Sequence, residues 1–262
     1  PYAHAKIKSI NTEKALAHPG VAAVITGETL KEYNLHMMPT LMSDTQMVLP
    51  IEKVCYQAQE VAAVIATDRY SAADGVELVE VEYEPLPVVV DPHKATDPDA
   101  PIIRDDKEGQ ENNHIFHWES GDKKGTDDVF KKSDVVVKEN IYLPRIHVAS
   151  IETCGCVSEF DSVSGQLTVW MTTQAPHAIR TVLALVAGHV GLREDKIRVI
   201  SPDIGGGFGG KVPVYPGYVI AIAASVVTGL PIKWIEDRRE NLQADSFARD
   251  YHMTCEIAAD KD

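Results

Sequence analysis

Asp203-Ile204-Gly205-Gly206-Gly207-Phe208-Gly209-Gly210-Lys211 places five glycines and one aromatic residue in the six positions 205–210. The stretch follows Lys196-Ile197-Arg198-Val199-Ile200, whose apolar, β-branched run predicts a buried strand. Without a Cβ, glycine reaches φ > 0 and lets the backbone approach a ligand closely. Successive backbone N–H groups turned the same way form a concavity that attracts anions. Phe208, alone among glycines, is then a side chain set in place rather than core filling. The loop is expected to hold something large and negatively charged. Beyond it, the apolar residues 218–227 predict a helix opening near Pro216, where proline suits the first helical position. Pro231-Ile232-Lys233-Trp234-Ile235 predicts a further strand.

Gly205, Gly207 and Gly210 satisfy G-x-G-x-x-G, so a nicotinamide-binding βαβ unit is one reading of the loop. In such a unit the third glycine lies inside the first helix, whose N-terminus faces the pyrophosphate. Here Pro213 and Pro216 interrupt that helix, because each lacks an N–H and clashes with the preceding turn. A purely structural glycine turn is another reading.

The same residues carry a third. Gly205 to Lys211 resembles the glycine–phenylalanine loop of the molybdenum hydroxylases, the xanthine dehydrogenase and aldehyde oxidase family. Thr172-Thr173-Gln174-Ala175-Pro176-His177 resembles the family's second cofactor segment, and Ile151-Glu152-Thr153 a third element. The likeness runs nearly end to end in the carbon-monoxide-oxidising branch of the family: Pro1-Tyr2-Ala3-His4-Ala5, Asn34-Leu35-His36, Val81-Glu82-Tyr83-Glu84-Pro85-Leu86-Pro87, Asn113-His114-Ile115-Phe116, Gly121-Asp122-Lys123, and Phe247-Ala248-Arg249-Asp250-Tyr251-His252-Met253-Thr254. Matches in so many separate segments are far more specific than one glycine pattern.

The resemblance implies an oxidoreductase large subunit carrying molybdenum as molybdopterin cytosine dinucleotide. The expected reaction is oxidation of carbon monoxide with water to carbon dioxide. Electrons would pass to a 2Fe–2S small subunit and an FAD-binding medium subunit, in a dimer of heterotrimers. Gln174 falls where the family's glutamine hydrogen-bonds a ligand of molybdenum, and Phe208 where the loop phenylalanine lies against the metal centre through its backbone. Gly206, Gly207 and Gly209 shape that loop. Family large subunits continue well past residue 262, and the later region carries the base glutamate, the remaining cofactor contacts and the copper-binding cysteine. The resemblance therefore maps no catalytic residue and no metal ligand here, leaves copper open, and implies a catalytically incomplete chain, either a fragment or one piece of a split subunit. Purine-hydroxylating relatives carry a glutamate directly after the loop lysine. Val212 stands there instead, which disfavours xanthine. A hydroxylase of aldehydes or N-heterocycles, and a non-catalytic α/β scaffold, remain alternative readings.

With 262 residues, 44% apolar and a formal charge of −14, the chain can hold one or two domains with a sizeable core. The charge argues against nucleic-acid or anionic-membrane partners, which need clustered Lys and Arg. The apolar run at 218–227 is too short to span a bilayer, and the expected location is the cytoplasm, with the inner face of the membrane as its alternative. Cys55, Cys154, Cys156 and Cys255 match neither a zinc nor an iron–sulfur spacing and read as reduced thiols. His114, His117 and His147 lack a converging spacing, and no metal site is assigned to them. Met37, Met38, Met42 and Met47 read as gap fillers.

The fold class expected is α+β (mixed α/β). Residues 1–87 alternate short strands and helices, with Asp68 capping a helix through about Leu78, and correspond to the family's hammerhead-like domain. Pro92, Pro98, Pro101 and many acids mark 88–113 as a linker. Residues 114–262 read as the first part of a molybdopterin-binding domain, incomplete at its C-terminus. Within it, 133–143 and 251–259 predict strands, 157–160 and 166–171 a hairpin, and 178–190 a helix opened by Pro176. Glu236-Asp237-Arg238-Arg239-Glu240 reads as a solvated helix start with local ion pairs.

Overall fold

The computed structural model describes residues 1–40 and 44–261, so Met42 lies outside the described residues. In chain order the first elements are β1 (Ala5–Asn11), α1 (Glu13–Leu16), β2 (Val21–Thr26), α2 (Gly27–Glu32), β3 (Met37–Pro39), β4 (Thr45–Met47), β5 (Lys53–Val54), β6 (Ala62–Ala66), α3 (Arg69–Glu77) and β7 (Glu80–Pro85). There follow α4 (Lys123–Phe130), β8 (Val135–Leu143), β9 (Gly155–Asp161), β10 (Gln166–Met171), α5 (Pro176–Ala187), β11 (Ile197–Ile200), α6 (Pro216–Thr228), β12 (Ile232–Ile235), α7 (Arg238–Ala244) and β13 (Tyr251–Ala259). The class is mixed α/β, as the sequence predicts.

The chain packs as two units, Pro1–His114 with Ala149–Asp245, and Ile115–Val148 with Ser246–Asp262. In the second unit β8 and β13 form an antiparallel ribbon registered from Val135 opposite Ala259 to Leu143 opposite Tyr251. Beyond its end, Arg145 pairs with Asp250 at 2.6 Å.

In the first unit β7 is the edge of the sheet β5-β1-β7, and its alternating burial explains the period-two pattern of Glu80 to Tyr83. Asp68 caps α3 through its Oδ1, which accepts from Tyr70 N–H and Ser71 N–H at 2.9 and 3.0 Å. Residues 88–113 hold no helix or strand. Asn113 organises them instead, accepting from Ile103 N–H at 2.8 Å and donating to the carbonyls of Ala95 and Pro101 at 2.9 Å each.

The sheet that positions the site has the order β11-β10-β9-β12. β10 pairs in parallel with β11, while β9 runs antiparallel to both β10 and β12. Helix α6, buried from Pro216 to Ser225, packs on β9 and β12, and α5 packs on β11. The absence of any charge between Pro216 and Thr228 makes that burial possible. This order removes the nicotinamide reading. The strands flanking the glycine loop and α6 are β11 and β12, at opposite edges of the sheet, whereas a dinucleotide unit needs them as parallel neighbours. Moreover α6 begins only at Pro216, after the last loop glycine, so no glycine of the motif lies inside it. Helix α5 is shorter than predicted: it ends at Ala187, and residues 188–190 tighten into a 3-10 turn before Gly191 at φ 85°.

Candidate functional site

The loop 205–211 leaves β11 and returns beside the end of β10, where the chain turns through Thr172, Thr173 and Gln174 into α5. Backbone bonds fix this approach. Gln174 N–H donates to the Lys211 carbonyl at 3.0 Å, and Thr173 Oγ1–H to the same oxygen at 3.2 Å. Gln174 Oε1 then accepts from the N–H groups of Gly209 and Lys211 at 2.9 and 3.3 Å. Because both donors are backbone amides, the carbonyl end of this side chain must face the loop, and its NH₂ is turned away and takes no partner among the described residues. Gly207 permits this closeness: a Cβ there would lie 2.5 Å from Cδ and Oε1 of Gln174. Gly206 and Gly209 stand at φ 100° and 94°, and Phe208 itself at φ 51°, a left-handed conformation that costs a non-glycine residue roughly 1 kcal/mol. Phe208 is 76% exposed. The structure thus brings Gln174, Gly206, Gly207, Phe208 and Gly209 together on one face.

Some of the loop's amides are already paired within the protein. Gly205 N–H donates to Glu152 Oε2 at 2.7 Å, and Gly210 and Val212 donate to loop carbonyls at 2.8 and 3.2 Å. Only the N–H groups of Gly206, Gly207 and Phe208 take no partner among the described residues. Against Gly206 lies Ser150, 5% exposed, whose Oγ is buried without a partner.

Two residues at the site carry more than the sequence reading gave them. Lys211 is 2% exposed, and its ammonium meets Glu152 Oε2 at 2.7 Å. Burial works to raise the Glu152 pKa, but the hydrogen bonds from Lys211 and Gly205 N–H and the lysine charge outweigh it and hold the carboxyl below its usual range. Glu152 was visible only as part of the Ile151-Glu152-Thr153 element.

Behind the site, the reading of residues 236–240 as a solvated helix start holds at 237–240 and is corrected at Glu236. Asp237 caps α7 as predicted, with Glu240 completing a capping box. Glu236, however, is 3% exposed. Arg238 donates to the carbonyls of Ser150 and Ile151 at 2.6 and 2.8 Å rather than to an acid of the run. Cys154, Glu236 and Asp245 place their ligand-type atoms within 4.8 Å of one another, all buried. Asn241 Nδ2–H₂ bridges the two carboxyls, donating to Glu236 at 3.2 Å and Asp245 at 2.6 Å, and Cys154 N–H donates to Glu236 at 3.1 Å. Burial raises both carboxyl pKa values and pushes the Cys154 thiol up to about 12, so the cluster is a buried hydrogen-bonded knot between β9, β12 and α7 that holds protons more tightly than exposed groups would. Cys156, likewise buried and pushed up to about 12, agrees with the reduced-thiol reading. His117 pairs with Glu119 at 3.1 Å, and His147 packs edge-on against Phe247.

A left-handed aromatic on a glycine loop, beside a strand-end glutamine whose carbonyl faces that loop, on a mixed α/β body, is the arrangement that the resemblance to the molybdenum hydroxylases implies. Residues 106–262 match the molybdopterin cofactor-binding domain, and residues 1–87 match the α/β hammerhead domain of aldehyde oxidase and xanthine dehydrogenase. The chain belongs to the xanthine dehydrogenase and aldehyde oxidase family. It is 58% identical to the carbon monoxide dehydrogenase large chain of Afipia carboxidovorans and 54% to that of Hydrogenophaga pseudoflava, in each case over 100% of this chain and 33% of the relative. The solved structure of reconstituted CO dehydrogenase from Oligotropha carboxidovorans superposes with a TM-score of 0.91 at 58% identity, over 99% of this chain and 33% of that one. The chain therefore spans about one third of the length of these relatives. Among the described residues no helix is long and apolar enough to cross a membrane.

Proposed function

We propose that this chain is the N-terminal part of the large, molybdenum-bearing subunit of an aerobic carbon monoxide dehydrogenase. The observation that carries the reading is the similarity, at 58% identity over the whole chain, to a carbon monoxide dehydrogenase large chain. In this reading residues 1–87 are the hammerhead-like domain, 88–113 a linker, and 114–262 the first part of the cofactor-binding domain. The enzyme works in the cytoplasm, with a 2Fe–2S small subunit and an FAD-binding medium subunit in a dimer of heterotrimers. The cofactor is molybdopterin cytosine dinucleotide, with copper left open.

The residues present suit an anionic, acceptor-rich group. Three open amides at 206–208, the outward NH₂ of Gln174 and the Ser150 Oγ are donors without acceptors among the described residues, and Gly207 lets the Gln174 side chain lie against the loop. When bound, the cofactor supplies the two-electron redox chemistry. Gln174 donates from Nε2, with its orientation fixed by Gly209 and Lys211. Phe208 presents its peptide and ring on the exposed side of the loop, and Gly206, Gly207 and Gly209 let the backbone close on the ligand.

Metal analysis of the full-length assembled protein tests this. We expect molybdenum in stoichiometric amount, and turnover of carbon monoxide with an artificial electron acceptor that falls in Gln174→Ala while the fold is retained. Molybdenum with turnover only of aldehydes or N-heterocycles would replace the substrate, and a protein purified without molybdenum would return the chain to a scaffold.

A further inference from the structure

We propose that Glu152 and Lys211 are positioning residues, an ion-paired clasp that sets the loop 205–211 and through it the poses of Gln174 and Phe208. The proposal rests on the cofactor-binding reading of the loop, but its geometry is independent of the substrate. One carboxylate oxygen, Glu152 Oε2, takes a donor from each end of the loop: the N–H of Gly205 at 2.7 Å and the ammonium of Lys211 at 2.7 Å. Glu152 N–H returns a bond to the Gly205 carbonyl at 3.1 Å. Lys211 in turn gives its N–H to Gln174 Oε1 and its carbonyl to Gln174 N–H. The chain of bonds thus runs from Glu152 through Lys211 to the very oxygen that orients the Gln174 amide.

Burial makes the pair decisive rather than decorative. An exposed ion pair contributes little, because water solvates either partner alone. The Lys211 side chain is 3% exposed and Glu152 is its one ion-pair partner among the described residues, so the loss of the carboxylate strands a buried charge and drives the lysine out. Since residue 211 carries the loop end with it, the loop must open. Removing both charges together should not have this effect, because a glutamine at 152 still accepts from Gly205 N–H and a methionine at 211 fills the lysine's space.

The test is hydrogen exchange, read by mass spectrometry on the full-length assembled protein, comparing the peptide spanning 203–212 with one covering β10. We expect Glu152→Gln to speed exchange of the Gly205, Gly209 and Lys211 amides by about tenfold with β10 unchanged, and to lower molybdenum content. The double variant E152Q/K211M should return exchange to near the parent rate. Wild-type exchange in Glu152→Gln, a parallel rise in β10, or no rescue in the double variant would each overturn the clasp. If the parent protein contained no molybdenum, the function proposed above would fail while the exchange result still decided the clasp.

Discussion

A methyl group added at Gly207 should disable Gln174 without touching it by mutation. Gly207 is not among the residues at positive φ, so alanine is acceptable to the backbone and its cost is steric. The new Cβ would lie 2.5 Å from Cδ and Oε1 of Gln174 and 2.8 Å from Cγ, and only displacement of that side chain relieves the overlap. Gln174 is exposed and can swing out, giving up the bonds from Gly209 and Lys211. At roughly 1 kcal/mol net for a good hydrogen bond and less for the longer one, the loss is about 1–2 kcal/mol. In a unit of this size that corresponds to roughly 2–8 °C in Tm. Gln174→Ala removes Cγ, Cδ and Oε1, and so forfeits the same two bonds by another route. The double variant G207A/Q174A then has nothing left to clash with and should be no less stable than Gln174→Ala alone, a coupling of about 1–2 kcal/mol. Urea denaturation of the parent, both single variants and the double variant measures this cycle. Additive losses would refute the geometry, because they would mean the methyl meets something other than Gln174.

Burial raises the Glu60 carboxyl from its ordinary 4.5 to about 7, with repulsion from Glu240 and Glu236 adding to it, and raises Glu236 and Asp245 in the same direction. The folded chain therefore holds protons that the unfolded chain releases between about pH 4.5 and 7, and stability should fall as pH rises through that window. For Glu60 alone the fall is about 1–2 kcal/mol after allowing for partial solvent screening, and Glu60→Gln should flatten a plot of Tm against pH. Asn241→Leu removes the donor shared by Glu236 and Asp245 and should cost about 3 kcal/mol at neutral pH, and less at pH 5, by chemical denaturation. Gly217→Ala puts a Cβ 2.3 Å from Cζ2 of Trp234, whose ring stands edge-on to Tyr218. It should cost about 1–3 kcal/mol and perturb Trp fluorescence, and an unchanged emission spectrum would show that the ring is free to move.

Local features were legible because their causes are local. Asp68 caps the amides of Tyr70 and Ser71, Pro176 and Pro216 open helices, and the alternation of Glu80 to Tyr83 marks an edge strand, all within a few residues of chain. The glycine loop was legible as a close approach, and Gln174 as a strand-end polar residue. What they approach was not. Glu152 and Lys211 are 59 residues apart, and no periodicity joins them. Within the charge run at 236–240 only Glu236 departs from the solvation its composition predicts: it turns inward to Asn241, in α7, and to Cys154, 82 residues away, a partner that only the return of the chain before β9 supplies. The nicotinamide reading failed on strand order, which a motif cannot encode. G-x-G-x-x-G constrains three backbone positions and says nothing about which strands are neighbours.

Phe208 shows how these long-range contacts bear on function. A large apolar residue at φ 51° and 76% exposed gains nothing from burial and loses about 1 kcal/mol to its backbone. Left to itself the loop would relax. It cannot, because the bonds at Gly205, Gly209 and Lys211 fix both its ends before any ligand arrives, while the amides between them stay unpaired. Backbone strain of this kind persists where the surroundings over-determine it, and it marks places where a fixed pose matters more than stability. The ordering that a ligand would otherwise have to impose on six glycine-rich positions is already present. Binding is then favoured by preorganisation, and the residues that secure it lie at the ends of the loop rather than at its crest.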